Sequence, residues 1–82
     1  MKYTVYILKS EKDGSFYIGH TNNIEDRLLR HNEGRSLSTK AKRLWRIFYE
    51  EMFDSRAEAM KTEREFKSYK NRNYLERVIA SR

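Results

Sequence analysis

The sequence predicts a small α+β domain: a three-stranded, mainly antiparallel sheet flanked by helices, in the order β-β-α-β-α-α. Three observations predict it. Two runs rich in β-branched and aromatic residues, Tyr3 to Leu8 and Phe16 to Gly19, flank Asp13-Gly14, a pair that tolerates positive φ and closes hairpins. Ile24, Leu28 and Leu29 recur with helical spacing behind Asn22-Asn23, two good N-cap residues. Ser55-Arg56-Ala57-Glu58 has the S-x-x-E form of a capping box and opens a second helical stretch. The chain has 82 residues, enough for one compact domain spanning 1–82.

The remaining elements follow from local chemistry. Helix 23–33 carries Glu25 and Asp26 at its positive end and meets a stop at Gly34. Within it, Arg27 and His31 are four residues apart and share a face. The segment from Ser36 to Arg43 is polar and basic and reads as a loop or a short turn of helix. An aromatic-rich strand with Trp45, Phe48, Tyr49 and Phe53 begins near Leu44 and ends before Asp54. A helix runs over about 55–70. Asn71 to Asn73 interrupts it, and Tyr74 to Ala80 reads as a short terminal helix.

Composition narrows the function classes. Charged residues are 37% and hydrophobic ones 38%, and the latter include six tyrosines, four phenylalanines and a tryptophan, enough for an economical core. There is no cysteine, so disulfides and thiolate metal sites are excluded, which fits a reducing, cytoplasmic setting. No apolar run reaches the length of a membrane span or of a signal h-region. The net charge of +6 points to nucleic acid, whose phosphates bind cations through counterion release; simple solubility is the competing account. An anionic membrane surface fits less well, because no helix combines a bulky apolar face with a basic one.

Three features carry chemistry. Glu63 falls on a stripe with Ala59, Met60 and Phe66. A carboxylate there needs a partner: an Arg or Lys in a core ion pair, which periodicity alone favours, or a cation ligated by it. Arg27 lies beside an apolar stripe, where a guanidinium suits bidentate binding of phosphate, although a solvated helix arginine is commoner. Tyr6 and Tyr17 stand on the two strands of the hairpin. A two-residue turn would set Lys12 opposite Ser15 and leave Tyr6 two residues beyond the partner of Gly19. The two rings become diagonal neighbours only if a bulge or longer loop shifts that register. Trp45 is read as core packing in preference to stacking on a base.

Together these residues form a pattern. Thr4-Val5-Tyr6, then Tyr17-Ile18-Gly19-His20-Thr21-Asn22-Asn23-Ile24-Glu25-Asp26-Arg27-Leu28, then His31, resembles the signature of the GIY-YIG nuclease superfamily. The second half, Y-I-G-x-T-x-N followed by an apolar residue, R-L and H, is the sharper match. Short stand-alone UvrC-like bacterial members look closest, and the resemblance continues through Ser55-x-x-Glu58-Ala59 and Glu63-x-x-x-Lys67. It implies that Tyr6 and Tyr17 are the motif tyrosines, Arg27 the helix arginine and Glu63 the metal-binding glutamate. Gly19 matches the glycine that ends the second strand, where a side chain would obstruct close approach. His31 matches a histidine near the active site, and His20 falls at the pocket edge. The first motif departs from the family in reading Thr-Val-Tyr. The late asparagine of many active members has two candidates here, Asn71 and Asn73.

The implied activity is endonucleolytic hydrolysis of nucleic acid, DNA in the first place, with one Mg²⁺ or Mn²⁺ on Glu63. In that scheme Arg27 clamps a phosphate oxygen, and Tyr6 takes a proton from the attacking water, helped by nearby cations that favour phenolate. Tyr17 and His31 orient the water or share the base role. Lys40, Lys42, Arg43 and Arg46, with Lys61, Arg64, Lys67, Lys70 and Arg72, are placed to track the substrate backbone. A chain this short leaves no room for a targeting domain, so weak sequence selectivity, or reliance on DNA structure or a protein partner, is expected. Repair, recombination and processing of foreign DNA are all compatible with it. A binding module that kept the fold without turnover is the main alternative, and a protein-interaction domain the next. Salt-dependent affinity without metal-dependent cleavage selects the first of these, and the lack of any salt-dependent DNA affinity selects the second.

Overall fold

The computed structural model describes the chain except Met1, Arg35, Ser36 and Lys70, and gives Leu37 and Ser38 as backbone. The elements are β1 (Tyr3–Ser10), β2 (Phe16–Thr21), α1 (Ile24–Asn32), α2 (Leu37–Lys40), β3 (Trp45–Phe53), α3 (Arg56–Ser68) and α4 (Arg72–Ala80). The sheet has the order β2-β1-β3, with β1 central and antiparallel to both neighbours. The expected α+β class and element order are present, and α2 is the short helical turn read between Ser36 and Arg43. Ser36 and Lys70 themselves lie outside the described residues.

Strand β1 is buried almost throughout because helices cover both faces of the sheet. Successive side chains point to opposite faces. Val5 and Ile7 meet Ala59 and Phe66 of α3 and Leu75 of α4, forming the main core. Tyr6 points the other way, to His31 of α1. In β3, Phe48 is the extra residue of a bulge, since Ile7 pairs with Tyr49 and Leu8 with Ile47. Its ring packs on Phe16 with centroids 4.8 Å apart.

The hairpin corrects the two-residue turn expected at Asp13-Gly14. Ser10 faces Ser15, leaving a four-residue loop in which Gly14 alone takes positive φ, at 77°. The Ser10 side chain explains the longer loop. Its hydroxyl accepts from the Lys12 amide at 3.1 Å and donates to the Lys42 carbonyl at 2.6 Å, which caps the turn and ties it to the segment before β3. The register shifts accordingly: Tyr6 pairs with Gly19, and Leu8 with Tyr17. Strand β2 also runs past Gly19 to Thr21 instead of ending at the glycine.

The helix caps follow the sequence closely. Asn23 accepts from the Asp26 amide and Ser55 from the Glu58 amide. Gly34 follows α1 with φ of 79° and donates to the His31 carbonyl. Helix α4 begins earlier than Tyr74 because Asn71 accepts from the Asn73 and Tyr74 amides and so acts as its N-cap. On α3 the buried stripe is Ala59, Thr62 and Phe66. Met60 is 40% exposed, so the stripe is rotated from the sequence reading and Glu63 sits at its edge.

Phe66 is fully buried at the centre of this core. Phe66→Ala should cost about 3–5 kcal/mol, a large share of the stability of a small domain. Urea unfolding followed by circular dichroism measures it; a loss under about 1 kcal/mol would show that the core is centred elsewhere.

Candidate active site

The site is built around a glycine. A Cβ on Gly19 would lie 2.6 Å from the Tyr6 hydroxyl oxygen and 2.9 Å from Cζ. The Tyr6 ring therefore lies flat across the β2 backbone, over the one residue of that strand's pairing that leaves it space. Tyr17, diagonal to Tyr6 in the observed register, stacks beside it with ring centroids 6.4 Å apart. His31 closes the group, its ring centroid 4.7 Å from that of Tyr17.

Helix α1 places Arg27 and His31 one turn apart on the face towards Tyr6. The Tyr6 hydroxyl lies 3.3 Å from His31 Nε2, and His31 Nδ1 lies 2.8 Å from Thr39 Oγ1 on α2. Burial lowers the pKa of His31, and the positive charge of Arg27 lowers it further. The imidazole is accordingly neutral at physiological pH. The neutral ring thus bridges the Tyr6 hydroxyl and Thr39 through its two nitrogens, with the Arg27 charge close to the Tyr6 oxygen.

The phenol itself corrects the expectation that nearby cations favour phenolate. Burial raises the Tyr6 pKa well above its ordinary value, and the charges of Tyr17 and Glu63 add to the rise. Arg27 opposes it and is outweighed. The side chain is 1% exposed, so loss of hydration dominates one cationic neighbour.

Glu63 reaches the site from α3, on the opposite face of the sheet. It is half-buried, and its two oxygens are held separately. His20 Nδ1 of β2 contacts Oε1, and Lys67 Nζ lies 2.6 Å from Oε2. Burial pushes the carboxyl pKa up, but hydrogen bonds from Lys67 and His20 outweigh this and hold it below the usual glutamate value. Both sequence accounts of Glu63 thus meet at one residue: it is ion-paired, and it is an ionised carboxylate at the edge of a cleft with His20, Met60, Arg64 and Lys67.

Among the described residues no group of three or more His, Asp or Glu side chains gathers as a metal cage. An ionised single carboxylate at an open cleft still fits Mg²⁺ or Mn²⁺, which keep several waters and use substrate phosphate to complete their coordination. Lys67 balances the carboxylate charge in the place where such an ion would act.

The other expected residues are distributed unevenly. Arg27 lines a second cleft with His20, Asn22 and Arg56. Lys42 donates to Ser15 Oγ at 3.1 Å and lies 3.6 Å from Asp13, across the hairpin turn. Lys40 is exposed at the end of α2, and the exposed Arg43 covers Gly34. Arg46 is exposed on β3, which β1 separates from β2 and its site residues. Trp45 is 4% exposed and donates from Nε1 to the Thr39 carbonyl, so it is a core residue. Asn71 is committed to capping α4, and Asn73 is exposed. Thr39, the partner of His31, was not legible in the sequence, where it stands in a polar basic segment with no periodicity to single it out.

Known proteins share this pattern. A sequence profile described as the GIY-YIG catalytic domain matches residues 2–76. A UPF0213 protein of Staphylococcus saprophyticus is 40% identical over 78 residues, covering 94% of each chain. A UPF0213 protein of Bacillus licheniformis is 44% identical over 69 residues, covering 83% of this chain and 70% of that one. The solution NMR structure of a UPF0213 protein from Bacillus halodurans superposes with a TM-score of 0.64 at 31% identity, covering all of this chain and 86% of its own. With a family profile spanning nearly its whole length and relatives aligned end to end, the chain belongs to the GIY-YIG catalytic domain family.

Proposed function

We propose that this protein is a metal-dependent endonuclease that hydrolyses phosphodiester bonds of DNA. The family is one of nucleases, which supports the reaction class. The observation that carries the reading is the Tyr6 hydroxyl, set between Arg27 and neutral His31 within reach of the Glu63 charge. A packing tyrosine does not need those three partners.

Glu63 would hold the divalent ion, Mg²⁺ or Mn²⁺, with His20 and Lys67 at its flanks. Such an ion supplies electrostatic stabilisation of the phosphate and the leaving oxygen. Arg27 binds a non-bridging phosphate oxygen and neutralises the charge that develops there. Tyr6 takes a proton from the attacking water while passing its own to His31 Nε2. This two-proton transfer builds no free phenolate, which the buried setting of Tyr6 disfavours. Thr39 fixes the imidazole through Nδ1, and Tyr17 packs against both rings and orients the water. The proton on His31 is then stabilised by the incoming phosphate charge.

Cleavage of labelled single-stranded, duplex and branched DNA should require Mg²⁺ or Mn²⁺, stop in EDTA, and fall by about 100-fold or more in Glu63→Ala and Tyr6→Phe. Wild-type rates in both variants would sink the proposal. Salt-sensitive binding without cleavage in any of the three proteins would establish a binding module instead.

Gly19→Ala should lower stability by about 1–3 kcal/mol through overpacking and reduce cleavage to the level of Tyr6→Phe, because the new methyl group displaces the Tyr6 ring. Thermal melting and initial rates measure the two effects, and a Gly19→Ala protein cleaving at the wild-type rate contradicts the assigned geometry.

His31 gives a pH signature. Below about pH 6.5 the unfolded chain protonates this histidine while the folded chain resists it. Its contribution to stability is therefore complete above that pH and is lost as pH falls through the lower folded pKa. Urea unfolding across this range should show a steeper acid loss for wild type than for His31→Gln. Parallel curves would refute a buried neutral His31.

A further inference from the structure

A cleft of about 550 Å³ opens between β2 and the junction of α3 with α4, beside the tyrosine and glutamate residues. Its chemistry is one-sided. Lys42, Lys67 and Arg72 line it, together with Phe16, Tyr17 and Tyr69, and no carboxylate is among its described lining residues. The Arg72 guanidinium lies 4.2 Å from the centroid of the Phe16 ring, which orients it as a flat cationic shelf. Its contact with Glu76 runs through Nε at 3.5 Å and is exposed, so it competes little with a bound anion.

The cleft is continuous with the candidate active site at two residues. Tyr17 contributes to its lining from β2, while its ring lies on the α1 face against Tyr6 and His31. Lys67 belongs to its lining and holds Glu63 at 2.6 Å. A ligand in the cleft therefore ends one side chain away from the carboxylate proposed to carry the metal.

We propose that this cleft is a subsite for one nucleotide adjoining the scissile phosphate, and that it admits that nucleotide with its base unpaired. The inference rests on the nuclease reading and deepens it to a substrate class: single-stranded DNA, or single-stranded segments of branched DNA. Three cations whose carboxylate partners, Asp13, Glu63 and Glu76, lie outside the lining of the cleft fit phosphate. The Arg72 guanidinium over Phe16 and the neighbouring Tyr69 fit a base stacked without regard to sequence. The volume falls within the range of small-ligand pockets and leaves room for a nucleotide, while a base held in a duplex stack is not free to turn into the cleft.

The test uses thymidine 3′,5′-bisphosphate, titrated in EDTA while backbone amide shifts are followed by NMR. Shifts should concentrate at Ser15 to Ile18 and around Lys67 to Arg72. Arg72→Gln should weaken binding by about 10-fold or more, Lys42→Gln by less, and Arg30→Gln, on α1 across the sheet, should leave it unchanged. By fluorescence anisotropy a short labelled single strand should bind tighter than its duplex, and Arg72→Gln should remove that preference. Equal losses in Arg72→Gln and Arg30→Gln, shifts scattered over the basic surface, or a preference for duplex would each overturn the subsite.

Its failure is distinguishable from that of the nuclease reading. Cleavage that needs metal and Glu63 but ignores Arg72→Gln removes the subsite and leaves the nuclease. Bisphosphate binding that depends on Arg72, with no cleavage under any metal, keeps the subsite and removes the nuclease.

Discussion

The contact between the Tyr6 ring and the bare backbone of Gly19 is the constraint on which the site depends. Tyr6 sits on the central strand, where a side chain would ordinarily be sealed between sheet and helix. Because its cross-strand partner has no Cβ, the ring lies across β2, where its hydroxyl meets His31 and feels charges from both layers. His31 and Arg27 come from α1 on one face, and the charge of Glu63 comes from α3 on the other. Any larger residue at 19 would turn the ring back and separate these groups.

The central strand β1 supports that arrangement by being buried on both sides. Val5 and Ile7 anchor α3 and α4, and the alternate residues of the same strand face α1. One strand thereby fixes the distance between the helix that carries Arg27 and the helix that carries Glu63. Asn32 adds a second tie, bonding both the amide and the carbonyl of Trp45 and so holding the end of α1 to the start of β3. Positions so constrained suit a site in which the groups must act together with little rearrangement.

The electrostatics are set by competition between burial and pairing. At Tyr6 and His31 burial wins, and both groups are kept neutral. At Glu63 the hydrogen bonds of Lys67 and His20 win, and the carboxylate stays ionised. The outcome is one neutral hydrogen-bonded pair beside one anionic group, an arrangement that composition could not disclose. The surrounding cations are unevenly placed: Lys67 and Lys42 converge on the nucleotide-sized cleft, whereas Arg46 stands on the opposite edge of the sheet.

The amino-acid sequence by itself determined the class of fold, the order of its elements and most of their ends. Those depend on local chemistry: the Asn23 and Ser55 caps, the positive φ of Gly14 and Gly34, and the alternation of β-branched residues act within a few positions of chain. It also identified the motif residues, through a pattern of residue types at fixed spacing. The hairpin register, the rotation of the α3 stripe and the protonation of Tyr6 were decided by the tertiary structure. The register turns on a bond from Ser10 to Lys42, far along the chain; the stripe is rotated by what the sheet leaves room for; and the phenol responds to burial by a helix that the sequence cannot place over it. Thr39 and the Arg72 shelf on Phe16 belong to the same class, because each joins segments that become neighbours only when the sheet and its two helical layers close.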